Sequence, residues 1–242
     1  MKNTVILFLF FFTFSFSQTV KVEYDFTVDM SGTMIAPIKQ KFELINSQGK
    51  SLATRYVVSE IKNKSVDKNG QSSIYTKIGS DTIKFYKEFD ANKLFSEETI
   101  FTKTFNVKDS LSVFDWTIEN DTISILGHSC YKATTKFRGR EFEAFFANDI
   151  LIPDGPAKYN GLPGLILKVS ILNTNSIFSI VATKVDISPE NTVIVNPYDE
   201  KKSIEFEDFK KKYTQKMNEL ESYNANQGIT INRGGLELWE NE

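Results

Sequence analysis

The sequence predicts a mainly β fold: a single antiparallel curved sheet or half-barrel, with one C-terminal amphipathic helix packed on it. Three observations carry this. From Val20 to Met30 apolar residues alternate with Lys21, Glu23, Asp25, Thr27 and Asp29, a period of two that gives a strand one dry and one wet face. Such alternation belongs to antiparallel sheets, because parallel strands are usually buried on both sides. Shorter alternating runs follow, separated by turn formers, and just one stretch near the end carries helical spacing.

Taken in chain order, the first 17 residues have a positive start at Lys2, an apolar run and small residues at Ser15 and Ser17. This is the layout of a secretory signal peptide cleaved near Ser17/Gln18. A membrane anchor is the rival reading, but the unbroken run Val5–Phe12 is far short of the ~20 residues that cross a bilayer. The expected destination is the periplasm or the outside, with no transmembrane span once the signal is removed. Residues 18–223 are expected to form one β-rich domain, and 224–242 a polar tail.

After the first strand, Ile74–Ile78, Thr82–Lys87, Phe114–Ile118 and Thr122–Leu126 read as strands. Asp67–Gly70, Gly79–Asp81 and Glu119–Asp121 supply turns between them. Gly127 to Ala147 reads as a hairpin with Gly139 near its middle, Phe142, Ala144 and Phe146 sharing one face. A second hairpin joins Leu165–Leu172 to Ser176–Ile187. In residues 203–223, Phe206, Phe209, Tyr213, Met217 and Leu220 follow a 3.6-residue period, and Ser203 suits the N-cap. The helix is expected to lie on the sheet; a movable lid over an apolar groove is the sharper alternative.

Composition excludes several function classes. The formal net charge is −2, so there is no basic excess to neutralise nucleic-acid phosphates. Cys130 and His128 are the only residues of their types: no intramolecular disulfide can form, and any histidine-dependent mechanism must pass through His128. No Gly-x-Ser-x-Gly, His-Glu-x-x-His or phosphate loop occurs, and no cofactor is expected.

The stretch Gly161-Leu162-Pro163-Gly164-Leu165 precedes a run of aliphatic residues. Proline at 163 and glycine at 164 suit the central positions of a type II turn, with Gly164 at positive φ. Leu165, Leu167, Val169 and Ile171 would then share one strand face. This string follows a loop with Ile152-Pro153 and Gly155-Pro156. Upstream stand Ile125-Leu-Gly127, Cys130, Lys132-Ala-Thr134, Phe137-Arg-Gly-Arg140 and Ala144-Phe-Phe146. Together they resemble the GLPGLI family of exported Bacteroidota proteins, firmly from about Trp116 to Val169. Phe145-Phe146 departs from the tryptophan and tyrosine expected there. The resemblance implies export and a β-rich N-terminal half, and no activity or catalytic residue. Three strings with Thr82, Ser110 and Thr122 at their centres resemble an O-glycosylation motif of such proteins.

Three chemistries remain open. His128 and Cys130, two apart on one strand face, could supply two ligands to copper or zinc, with Glu141 or Glu143 joining from across the hairpin. Lys132, Lys136, Arg138 and Arg140 gather at the hairpin end and could hold a carboxylate, phosphate or glycan group, or simply pair with nearby glutamates. Glu141 and Glu143 could do acid–base work as a hydrolase, though adjacency in sequence says nothing about their separation. The expected function is a non-enzymatic binding or accessory module for an apolar ligand or an envelope partner, whose identity the sequence leaves open.

Overall fold

The computed structural model describes residues 18–29, 37–56, 82–111, 114–173 and 177–225. The expected signal, the strand at 74–78, the turns at 67–70 and 79–81 and most of the polar tail lie outside the described residues. The described chain is mainly β, an open sheet of twelve strands with one C-terminal helix.

Strand β1, Thr19–Asp29, keeps the predicted alternation: Val20, Val22, Tyr24 and Phe26 are buried and Lys21, Glu23 and Asp25 exposed. It is a central strand, pairing with β2 (Ile38–Ser47) on one side and β11 (Ile177–Ser188) on the other. One wing meanders outward through β2, β3 (Lys50–Tyr56), β4 (Thr82–Glu88), β5 (Lys93–Ile100) and β6 (Lys103–Ser110). The other runs from β11 through β10 (Leu165–Leu172), β9 (Arg140–Ala147) and β8 (His128–Phe137) to the edge strand β7 (Thr117–Ile125). The hairpin corners at Gln48-Gly49, Leu126-Gly127 and Arg138-Gly139 have positive φ at both residues. That is the two-residue turn whose twist matches its strands.

Strands β6 and β7 stand ten strand-to-strand steps apart, which at ~4.8 Å a step would be about 48 Å in a flat sheet. The six residues 111–116 join them, a link that reaches ~25 Å at most. The wings must therefore turn toward each other. Contacts across the gap agree: Arg138, at the β8–β9 corner, ion-pairs with Asp109 of β6.

The register defines an inner face. It runs through Val107, Ser96, Phe85, Ala53 and Leu44 to Val22 in one wing. In the other, Phe26, Ile180, Val169, Ala144 and Ala133 continue it. Most of these belong to a single buried cluster. The opposite face of β3 to β5 is covered by the chain between β11 and the helix, where Tyr198 stacks on Phe95 and Ile194 packs nearby.

Helix α1, Phe206–Ala225, buries Phe206 and Phe209 against Ile100, Phe105 and Val107. The predicted apolar stripe is therefore the one that meets the sheet. The helix starts later than expected, because Ile204 and Glu205 first form a short strand, β12, beside β6. Ser203 closes a 3-10 turn at Glu200–Lys202 instead of capping α1. Since β12 runs parallel to β6, the sheet is mixed, and the expectation of a purely antiparallel sheet is corrected. The chain reaches that edge after a long crossing and not through a tight turn, so an antiparallel approach was not imposed.

Two further expectations fail because the pairing slips. Glu119–Asp121 is an irregularity inside β7, not a turn between two strands. In β10, Leu167 is skipped by the register. Ile166 thereby shares the face of Val169 and Ile171, while Leu165 shares that of Lys168, so the simple alternation predicted from Leu165 to Ile171 is broken. A bulge re-aims side chains in this way.

Candidate functional site

The Gly-Leu-Pro-Gly motif ends a strap, residues 148–164, that leaves β9 and re-enters the sheet at β10. The strap is tied inside the molecule. Lys87, on the same face of β4 as Phe85, is fully buried, and its ammonium donates to Asp154 Oδ1 at 2.5 Å, Gly155 O at 2.7 Å and Tyr159 O at 3.3 Å. Three acceptors match the three donors of a lysine. Asp154 Oδ1 also accepts from the Gly155 amide, and Oδ2 accepts from Asn46 Nδ2, each at 2.8 Å. Burial pulls the Lys87 ammonium below its ordinary pKa, and Asp154 opposes that pull. The Tyr24 hydroxyl donates to Ile166 O at 2.9 Å; burial first, and the charge of Asp154 second, hold its pKa well up. Sequence reading passed over Lys87 and Asp154. The usable signal was Ile83-x-Phe85-x-Lys87, a lysine in the apolar phase of a strand.

The positive φ expected at Gly164 falls on a different glycine of the motif. Gly161 adopts the positive φ, +91°, with only Trp116 near its absent Cβ. Gly164 is outside the left-handed region and is required by contact, since a Cβ there would stand 2.3 Å from the Ala147 carbonyl oxygen. The predicted type II turn is thus corrected. Trp116 Nε1 donates to Asn160 O at 2.9 Å, Leu162 and Leu165 are buried, and Pro163 is exposed.

His128 and Cys130 do share one face of β8. The His128 ring meets Asp149, Nδ1 to Oδ2 at 2.7 Å. Cys130 faces Ala147 in the register, whereas Glu143 and Glu141 stand opposite Thr134 and Lys136, farther along the hairpin. The carboxylate that reaches His128 is therefore Asp149, not the two glutamates named from sequence. Among the described residues no group of three potential ligands is assembled. Burial pushes the Cys130 thiol up to about 11, so it is protonated and a poor nucleophile at neutral pH. The native protein is expected to react with Ellman's reagent at pH 8 at least tenfold more slowly than the urea-unfolded chain.

The basic cluster is dispersed into pairs. Lys132 reaches Glu119 at 3.0 Å and Glu143 at 3.7 Å, and Lys136 reaches Glu141 at 3.1 Å. Arg138 is buried, bound to Asp109 and placed over the Phe206 ring at 3.4 Å. Arg140 stands opposite Phe137. Glu141 also accepts from Asn173, and Glu143 has Lys168 at 3.9 Å. An open groove of about 480 Å³ at this hairpin includes Asp115, Thr134, Thr135, Lys136 and Glu141. Arg138 acts as a clasp between the wings, and Arg138→Ala is expected to lose about 3 kcal/mol in urea unfolding, as for a broken buried pair. Of the motif hydroxyls, Thr122 is exposed on β7, Thr82 is half-buried, and Ser110 accepts from Asn92 at 2.9 Å.

Residues 86–211 match the family described as N-glycanase peptide, N-terminal domain. The chain belongs to that family. The matched span holds Lys87, the strap, both hairpins of the second wing and the start of α1. Two structures of PNGF-II are similar, at 16% and 17% identity with TM-scores of 0.46 and 0.48. They cover 74% and 81% of this chain, which spans 28% and 33% of theirs. A LolA superfamily protein from Nitrosomonas europaea is similar at 6% identity and a TM-score of 0.29, over 72% of this chain and 87% of its own. These structural likenesses are too loose to transfer a function. No curated protein matches the chain.

Proposed function

We propose that the protein is a non-enzymatic binding or accessory module of the cell envelope, taking an apolar ligand or an envelope partner on its open faces. The observation that supports it best is the filled interior. The strap occupies the space the wings turn toward, and Asp154, Ile150, Ala157, Tyr159 and Leu162 are all buried there. Three grooves, along α1, at the β8–β9 hairpin and at the β5–β6 corner, are open at the surface. Family membership favours the same reading, because it concerns an N-terminal domain of N-glycanases. The accessory part of that description is extended to this chain, and glycan cleavage is not. The ion pairs of Glu141 and Glu143 and the raised thiol of Cys130 give the hydrolase and metal readings no specific support. Export, the GLPGLI assignment and a half-barrel form of the sheet belong to the same proposal; the short β6–β7 link favours the last. Native mass spectrometry of protein purified from its own envelope tests the reading. A co-purifying lipid, glycan or protein is expected, and bare polypeptide at native expression would overturn it.

A further inference from the structure

We propose that Arg55 receives the head group of an apolar monocarboxylate lying on the open rim of the sheet's inner face, beyond the part the strap fills, a ligand class that rests on the binding-module reading above. Arg55 is in β3, directly across from Phe42 and on the face that also carries Ala53 and Leu44. Its guanidinium carbon lies 5.6 Å from the Phe26 ring centroid and 6.0 Å from that of Phe42. Nε is sealed from solvent with no hydrogen-bond partner, while the residue as a whole remains partly exposed and within reach of a ligand.

The contrast with neighbouring cations gives this weight. Lys87 has Asp154, Arg138 has Asp109 and Lys158 has Glu98. Among the described residues no carboxylate stands within ion-pair distance of Arg55. Burial pulls its pKa down, opposed by the charge of Glu98 at longer range. A guanidinium cannot shed its proton, and a charge held against apolar rings without a counter-ion is costly. A carboxylate supplies two parallel acceptors that match the guanidinium fork.

The surroundings select the rest of the ligand. Phe26, Phe42 and Phe178 are buried beneath the site; Ile83, which faces Arg55 from β4, and Val28 are half-buried, and Ile38, opposite Val28 on the same face, is exposed. A small hydrophilic anion would lose its water against these groups and gain one contact; an alkyl chain adds apolar burial. Glu98 lies farther along the same face, two residues beyond the Ser96 that pairs with Phe85. It disfavours a second negative charge, so a monoanion fits better than a diacid.

The test is thermal unfolding of the exported full chain with dodecanoate below its micelle concentration, beside acetate and dodecanol at equal concentration. Dodecanoate at ten times its Kd is expected to raise Tm by about 3–6 °C, and the two controls to leave it unchanged. Arg55→Met, which replaces an unpaired charge with an apolar chain, is expected to fold and lose the response; Arg55→Gln serves if it does not fold. Equal shifts in wild type and variant, or no shift in wild type, would overturn the Arg55 site. A shift that appears only after removal of residues 226–242 would also overturn it as a free site. None of these results bears on the wider binding-module reading, which native mass spectrometry decides separately.

Discussion

Asp154→Asn is expected to cost about 3–5 kcal/mol in urea unfolding, the loss seen when one partner of a buried ion pair is removed. The substitution keeps the shape and takes away the charge. Lys87 would then hold a buried ammonium among two carbonyl oxygens and an amide, with no counter-ion in reach. Lys87→Met should cost a similar amount from the other side, leaving the Asp154 carboxylate with Asn46 and the Gly155 amide as its remaining donors. The two losses should not add. In the double variant the charge conflict is gone, so the cycle should show a coupling of about 1–3 kcal/mol. Additive losses would mean that the two groups act separately, and that the strap is held by apolar packing.

Gly164→Ala should be the second large effect, and its comparison with Gly161→Ala the more telling one. A methyl at 164 meets backbone, 2.3 Å from the Ala147 oxygen and 2.9 Å from its carbon, so relief requires moving β9 against β10. Overpacking of this kind costs about 1–3 kcal/mol and more where backbone must shift, and Gly164→Ala belongs at or above the upper end. At 161 a methyl has room, with Trp116 no closer than 3.9 Å, and the loss is conformational because φ is +91°. That costs about 1–2 kcal/mol. Midpoints of urea unfolding for the two variants check the order, and a larger loss at 161 would contradict the close approach to Ala147 as the reason for glycine at 164.

The parts of the fold legible in the sequence were those in which a local period meets one buried face. Val20 to Phe26 and the stripe from Phe206 through Phe209 to Met217 are such cases, and so is the hairpin around Gly139. The illegible parts depend on partners distant in the chain. Nothing near Leu167 signals that the register skips it, because the slip exists only in the pairing with Phe145 and Phe146 on β9. Arg138 read as one of a basic cluster open to an anion or to nearby glutamates and is buried, since its partners Asp109 and Phe206 arrive from the other wing and from the helix. Ser203 looked like a helix cap because its residue type fits one; the pairing of Ile204 with Val107 delayed the helix.

The candidate chemistry divides along the same line. That His128 and Cys130 share a face follows from their spacing alone, and the structure keeps it. Which carboxylate reaches them depends on strand register, and sequence pointed to Glu141 and Glu143 where Asp149 is found. Lys87 and Arg55 were the residues to suspect. Each is a cation in the buried phase of its strand, Lys87 beside Ile83 and Phe85 and answered by Asp154, Arg55 beside Ser51 and Ala53 and without a counter-ion among the described residues.

Hydrogen exchange of the backbone amides from Ile152 to Ile166 bears most directly on whether this Pro-Gly-rich segment is interior scaffold. The amides of Asp154, Tyr159, Gly161 and Ile166 all donate to carbonyls within the segment, and should exchange as slowly as those of Val169 in β10. Exchange within seconds at neutral pH, with β10 still protected, would show a mobile flap over an accessible cavity and contradict the account.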